Sequence, residues 1–368
     1  MQLCPVTNRR ELKEFISLPA VIHCNHPGWV PPLYRDAWHY FDISKNCNAE
    51  GSDTIMFLVR KNGHAIGRIQ GIISHRVNTI HNQKRARFAN FECTNDPEVA
   101  QKLLKGVEDW AYKKGMSSIM GPKGFSNLDP EGFMVDGFQN EPTLSTYYNF
   151  QYVVDFLIAL GYKKYVDYVA YKIPLEIPSF YEKIYNRIAR RNEFELMEFS
   201  RRSALKQYVY PILELMNETY REHDGYVPLT EFEMQSLANR FIPLLDPHFI
   251  KAVLRAEQVV AFVIGMPNLN EGFRKSRGHL FPLGIFHIMR AARNSSQLDL
   301  LLGAIKKEYR GRGLDVLMGM AMYKSAIAYG FKHIDSHLEL ETNTKVRAEM
   351  ERAGGKIYKR YRIFIKQL

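Results

Sequence analysis

Leu298–Tyr329 reads LDLLLGAIKKEYRGRGLDVLMGMAMYKSAIAY, and no other stretch constrains the fold as much. An apolar run of strand length gives way to a basic glycine turn and then to a long helical pattern. A helix N-terminus offers unpaired backbone N–H groups and a partial positive charge. Glycines remove the Cβ atoms that would keep an anion at a distance. Strand, basic glycine turn and helix together make a place for a pyrophosphate. Within the helix, Leu314, Leu317, Met318, Ala321, Met322 and Ser325 recur at helical spacing, a face for packing on a sheet rather than for a ligand.

With 368 residues, 46% of them hydrophobic, the chain suits two domains of ordinary size. The same element order is read twice. In the first half, strands at Thr54–Arg60 and Ala65–Ser74 are joined at Lys61-Asn62-Gly63, a hairpin signal. A strand at Arg87–Cys93 follows, then a helix at Pro97–Lys114 with Asp96 as N-cap. A short strand at Ser117–Met120, a helix at Tyr147–Leu160 and a strand at Tyr165–Ile173 complete this half. The second half opens with a strand at Phe194–Phe199 and helices at Ala204–Glu222 and Glu231–Phe241, the latter behind the capping box Thr230-x-x-Glu233. A hairpin about Glu257-Gln258 then joins Phe249–Ala256 to Val259–Met266. The expected architecture is a mixed α/β fold of two similar domains, residues 1–175 and 190–368, joined near Pro174–Arg191.

The turn Arg310-Gly311-Arg312-Gly313-Leu314-Asp315, preceded by Lys307-Glu308-Tyr309, resembles the Arg/Gln-x-x-Gly-x-Gly/Ala hallmark of the GNAT superfamily of acyl-CoA N-acyltransferases. Downstream, His333–Leu340 reads as the fifth strand, and Asn343 stands where the family often starts its fourth helix with asparagine. Gly354-Gly355 ends that helix and Lys356–Phe364 supplies the last strand. The repeated order is similar to bacterial tandem-GNAT proteins. Two positions depart from the pattern. Asp315 replaces the last small residue of the hallmark, and Met350 stands where many members carry a tyrosine as general acid.

The resemblance implies acetyl-CoA or another acyl-CoA as co-substrate and an amine, small molecule or peptide, as acceptor. Backbone N–H groups of Arg310, Gly311, Arg312, Gly313 and Leu314 would hold the pyrophosphate, with Asp315 and Asn343 completing the contact set. The strand edge at Leu302, Gly303, Ala304 and Ile305 would pair with the pantetheine arm, and Gly303 would mark a bulge that opens it. Candidates for the base are Asp299, His337, Glu339 and Glu341; the last three alternate and would share one strand face. Tyr309, Tyr323 and Tyr358 are candidates to protonate the leaving thiolate. The first half carries Thr94-Asn95-Asp96-Pro97-Glu98 at the equivalent turn, acidic and without glycine, so only the second half is expected to bind CoA.

A formal charge of +11 favours anionic partners. No helix-turn-helix, zinc-finger or RNA-binding motif accompanies it, so there is no firm nucleic-acid or membrane signal. Cys4, Cys24, Cys47 and Cys93 form no C-x-x-C pair and fit a reducing cytosol, and His23, Cys24, His26 and Cys47 match no metal-ligand spacing. With no signal-like N-terminus and no spanning run, a cytoplasmic monomer or homodimer is expected. Two insertions stand out. Gly121–Pro142 has no helical or strand period, and its acids Asp129, Glu131, Asp136 and Glu141 would either attract an amine or be solvated on a packed loop. Pro267–Gln297 holds the amphipathic segment Pro282–Arg293, which reads as a lid over an acyl chain, a membrane-touching helix, or a surface helix with its apolar face docked. Against the transferase reading stand a non-catalytic ligand-binding protein, to which Asp315 and Met350 would point, and a basic nucleic-acid-binding protein. Gly311→Asp is expected to weaken CoA binding and leave the fold intact; unchanged affinity in calorimetric titration would remove the turn from the site.

Overall fold

The computed structural model describes residues 1–177, 179–190, 193–221, 225–242 and 245–368. The expected helix end at Glu222 and junction end at Arg191 lie outside the described residues. The first half runs β1 (Gln2–Pro5), α1 (Arg9–Ile22), α2 (Tyr34–Phe41), β2 (Ser52–Lys61), β3 (His64–Ser74), α3 (His75–Ile80), β4 (Arg85–Cys93), α4 (Pro97–Lys113), β5 (Ser118–Gly121), β6 (Phe133–Asp136), α5 (Gln151–Ala159) and β7 (Lys163–Pro174). After α6 (Ser179–Ala189) come β8 (Glu195–Glu198), α7 (Arg202–Tyr220), α8 (Glu231–Phe241), β9 (Ile250–Arg255), β10 (Gln258–Pro267), α9 (Asn270–Ser276) and α10 (Gly284–Asn294). The chain finishes with β11 (Gln297–Ile305), α11 (Leu314–Ala328), β12 (His333–Asp335), β13 (Glu339–Leu340), α12 (Thr344–Arg352) and β14 (Lys356–Gln367).

Local chemistry accounts for many of these boundaries. Asn62 and Gly63 both adopt positive φ, which closes the two-residue hairpin between β2 and β3. The Asp96 side chain accepts from the Glu98 N–H at the start of α4, and Thr230 and Glu233 form the capping box of α8. The second hairpin turns at Ala256-Glu257, one residue earlier than expected, again with both residues at positive φ. The expected fifth strand His333–Leu340 is interrupted: His337 takes φ +61 and separates β12 from β13. The Gly121–Pro142 segment contains a strand after all, since β6 pairs with β14.

The strands form one sheet in the order β1-β2-β3-β4-β5-β14-β7-β12-β11-β10-β9-β8, with β6 on β14 and β13 on β7. The last strands of the two halves are exchanged. β14 lies between β5 and β7 of the first half, and β7 lies beside β12 of the second. Two principal apolar cores flank the sheet. One gathers Phe57, Phe88, Phe91, Leu103, Val107 and Phe364 under α4, and the other gathers Leu213, Met216, Ala252 and Phe262 under α7. A third, with Tyr171, Leu298, Met322 and Ile334, fills the seam between the halves.

Charge pairing fixes β14 in this seam. Arg362 donates to both carboxylate oxygens of buried Asp167 on β7 (2.7 and 2.8 Å), and Lys366 reaches Glu108 on α4 at 2.9 Å. Burial works to raise the Asp167 carboxyl, but Arg362 and Lys164 outweigh it and hold the carboxyl below its usual value. Arg362→Met is expected to cost about 2 kcal/mol at pH 7, because one cation then faces a carboxylate that remains buried. A depressed carboxyl stabilises above its unfolded value and ceases to as pH falls through its native one, so the gap between wild type and variant in urea unfolding should close in acid.

Candidate functional site

β11 and β12 run parallel for only three residue pairs, Gln297↔His333, Leu298↔Ile334 and Asp299↔Asp335. Beyond them β11 continues along β10, while the chain after Asp335 turns at His337 and joins β7 as β13, with Glu339↔Val169 and Leu340↔Tyr168. A gap therefore opens between Leu300–Ile305 on one side and Ser336–Leu340 on the other. Facing it, the Gly303 carbonyl accepts from the Tyr220 hydroxyl (3.1 Å) and the Ile305 carbonyl from Arg310 Nε (3.0 Å). Lys306, by contrast, donates to Val260 on β10. Strand alternation thus turns Gly303 and Ile305 to the gap and Leu302 and Ala304 to β10. The bulge of this strand lies at Leu301, which has no partner between Gly265↔Leu300 and Ile264↔Leu302, and not at Gly303.

The gap leads to the glycine turn. Gly311 and Gly313 adopt φ +76 and +86, and no side chain caps α11. A Cβ on Gly313 would meet Ile188 Cδ1 at 2.3 Å, whereas nothing lies within 4 Å of one on Gly311. Leu314 is fully buried in the core. Arg312 pairs with Glu193 (3.0 Å) and lies over the Tyr309 ring, whose hydroxyl accepts from Arg255 at 3.1 Å. Tyr309 is therefore held among arginines at the turn. Asn343 caps α12, accepting from the Val346 N–H. The corresponding helix of the first half, α4, has its N-terminus occupied by its own Asp96 carboxylate.

At the closed end of the gap lies a buried polar cluster. Asp335 is 0% exposed and receives Lys359 Nζ at 3.2 Å, the His337 N–H at 2.6 Å and the Tyr358 hydroxyl. A bulge at Tyr358, between Ile357↔Tyr171 and Lys359↔Ala170, lets both side chains reach one carboxylate. Asp299, 1% exposed, accepts from Gln297 (2.6 Å) and Asn268 (3.0 Å). Burial first, and then the Asp335 charge, raise the Asp299 carboxyl well above its usual value. The His337 ring is held by the Leu144 carbonyl at 2.8 Å, and burial lowers its proton affinity.

The carboxylates of the gap are of a different kind. Glu339 on β13 is pushed up to about 8 by burial and then by Glu349. Glu349 on α12 is raised to about 7 by burial and then by Asp315. The Asp315 charge thus acts on Glu349 and Tyr181, and the Glu349 charge on Glu339, a row of three acids coupled through their charges. Glu341 lies apart from the row, paired with Lys164 (2.5 Å) and Arg360 (3.4 Å), so His337, Glu339 and Glu341 do not share one strand face.

No protein-family model matches the chain. Protein YghO of Escherichia coli (strain K12) is 24% identical over 380 residues, covering 98% of this chain and 94% of that protein. The bacterial ceramide synthase of Caulobacter vibrioides (strain NA1000 / CB15N) is 26% identical over 380 residues, covering 100% and 98%. A solved tandem GNAT protein from the clavulanic acid biosynthesis pathway superimposes over 100% of this chain and 98% of its own, with a TM-score of 0.58 at 12% identity. This chain has the tandem GNAT fold.

In this GNAT gap Met350 packs in the seam core, so the departure from the family tyrosine places no proton donor there. Tyr323 is buried and donates to the Ala353 carbonyl at 3.4 Å, and Tyr358 is committed to Asp335. Tyr220, which sequence reasoning passed over, reaches β11 at Gly303 and lies close enough to Glu339 to feel its charge. Its only sequence signal is a tyrosine at the end of an amphipathic helix. Of the acids in the long loop, Asp129 accepts from the Ser126 N–H, Glu131 pairs with Lys123, and Glu141 pairs with Arg274 of α9 at 2.8 Å. His23 and His26 stack on each other beside Phe150, and Cys47 lies against Ser236.

Gly313→Ala is expected to destabilise by about 1–2 kcal/mol from the left-handed backbone alone, and further through the Ile188 contact. Gly311→Ala should carry only the first penalty. Thermal melts of both, with Ile188→Ala added to the Gly313 variant, separate the two contributions.

Proposed function

We propose that this protein is an acyl-CoA-dependent N-acyltransferase in which the second half performs direct transfer to an amine. The observation that carries this reading is the gap between β11 and β13 opening onto an uncapped helix behind a basic glycine turn. The free N–H groups of Gly313–Val316, with Arg310 and Arg312 nearby, suit a pyrophosphate. The occupied N-terminus of α4 explains why the first half would not serve. The Leu301–Ile305 edge suits the amide groups of a pantetheine arm, with Gly303 and Ile305 turned toward it.

Each residue then has a task. Glu339, poised near neutrality, accepts the ammonium proton of the acceptor. The Gly303 N–H, on the same side of the strand as its carbonyl, faces the oxygen on which charge develops. The Tyr220 hydroxyl reaches the gap at Gly303 and, with its phenol raised by burial, stays protonated, so it can donate a hydrogen bond to the departing thiolate. The row Asp315–Glu349–Glu339 draws in a cationic amine, while the arginines of the turn draw in phosphate. Asp299 and Asp335 are enclosed and organise the closed end of the gap rather than meeting substrate.

A ceramide is an N-acylated long-chain amine. The full-length similarity to a protein named bacterial ceramide synthase therefore favours a long-chain acyl donor and a lipid-like amine acceptor. Titration calorimetry with acetyl-CoA and a long-chain acyl-CoA is expected to give one site per chain and tighter binding of the latter; binding of neither would overturn the reading. Glu339→Gln should lower kcat/KM by about a hundredfold or more. The base must be ionised, so wild-type activity should rise through pH about 8. The variant should lack this limb and retain only the one set by the acceptor amine; an unchanged profile would exclude Glu339 as the base.

A further inference from the structure

The insertion between β10 and β11 ends in α10, a helix whose sides are arranged the wrong way round for a helix that faces water on its outer side. Its inward positions include the small residues Gly284 and Ala291. The backbone at Gly272 of α9 allows the close crossing, since a Cβ there would meet Ile288 Cα at 2.6 Å and Ala291 Cβ at 3.0 Å. Its outward positions carry the large apolar residues: Ile285 is 42% exposed, Phe286 65% and Met289 49%. The preceding turn adds Phe281 at 75% and Leu283 at 62%. Nowhere else in the described chain do five large exposed apolar residues fall within nine positions. Of the readings the sequence offers for this segment, the surface helix with its apolar face docked is the one these exposures contradict.

The insertion is firmly seated. Gly278 accepts from the Tyr34 N–H at 3.0 Å, the His279 ring lies 5.1 Å from the Tyr34 ring, and Asn270 donates to the Pro142 carbonyl at 2.6 Å. Arg274 pairs with Glu141. The patch is thus presented by a platform tied to both halves. Around it stand Arg277, Arg290 and Arg293, all exposed and none in an ion pair among the described residues. On the neighbouring α9, Glu271 is paired with Lys275 at 2.5 Å and also feels the charge of Arg290.

We propose that α10 and the Phe281–Leu283 turn form a docking surface for an anionic lipid bilayer. A short apolar helix holds a membrane weakly by itself, and a second, electrostatic attraction makes the contact durable. This surface supplies both: rings and aliphatic chains at acyl depth, and arginines at headgroup level. The charge complementarity selects lipid over an apolar protein groove, which would leave three desolvated guanidinium groups to be matched. Among the described residues no helix is long and apolar enough to cross a membrane, so the contact lies in the interface plane. The proposal goes beyond acyl transfer and does not depend on it.

The test is co-sedimentation of the full chain with vesicles of phosphatidylcholine alone and of phosphatidylcholine with phosphatidylglycerol in equal parts. Binding to the mixed vesicles is expected, weakening as salt rises. Phe286→Asp with Met289→Asp should abolish it, and Arg290→Ser with Arg293→Ser should lower it by about thirtyfold at low salt. All four side chains are exposed, so circular dichroism and the melting temperature should not change. Calorimetric CoA binding should also be retained, which separates failure here from failure of the transferase reading. Wild-type protein that stays in the supernatant, or an aspartate variant that binds as well as wild type, would overturn the proposal. So would analytical ultracentrifugation that finds a dimer dispersed by the aspartates together with no vesicle binding, because a second copy of the chain would then cover the patch.

Discussion

The Asp335 carboxylate holds this molecule together at its most exposed point of failure, the line where two halves meet in one sheet. It is fully buried, and its partners come from different parts of the chain: Lys359 and Tyr358 from β14, and the His337 backbone from the turn that opens the gap. Removing any water-shielded cation from such a carboxylate would leave a charge with nowhere to go. The same contacts decide where β12 stops and where β13 departs. Seam and gap therefore rest on one group, and the enclosed Asp299 beside it adds a carboxyl whose proton affinity burial raises.

The two halves follow one element order with opposite chemistry at the equivalent turn. β4 and β5 also part after three parallel pairs, ending at Arg87↔Met120. In the first half, however, the Lys123 N–H closes onto the Phe88 carbonyl, and Arg87 binds the carbonyls of Gly124 and Phe125. Asp96 also caps α4, whereas no side chain caps α11. The α9–α10 insertion of the second half reaches across to the first at Tyr34 and Pro142.

Much of the architecture was legible because it depends on local rules. The Asn-Gly hairpin, the Asp96 and Thr230 caps and the glycine turn before α11 each follow from a few adjacent residues. Three elements at the N-terminus, β1, α1 and α2, are not foreseen from the sequence; within α1, Pro19 gives a helix-stop signal although it packs on the same buried face as Phe15 and Ile16. The strand exchange was illegible, since β14 carries the same alternation whichever neighbours it has. Lys359 at a buried position of that strand was the one available hint, because a lysine there needs a partner. Glu339 stands out in the sequence by its place on the fifth strand, but its raised proton affinity comes first from burial and then from the charge of Glu349 on α12, both set only in three dimensions. The place of Tyr220 in the gap is likewise set only by tertiary structure, and the bulge that Gly303 suggests in the sequence is formed by Leu301.

The exchange of β7 and β14 also orders events in time. β5 meets its partner through pairs such as Gly121↔Phe364, so the first half cannot close its sheet from its own residues. On the ribosome its apolar core under α4 waits, with a strand edge open, until almost the whole second half has been synthesised. Such long-range closure is slow and leaves the nascent chain vulnerable to pairing with its neighbours. The reward comes at the end: neither half can detach and unfold without drawing a central strand out of the other, so the pair behaves as one cooperative unit.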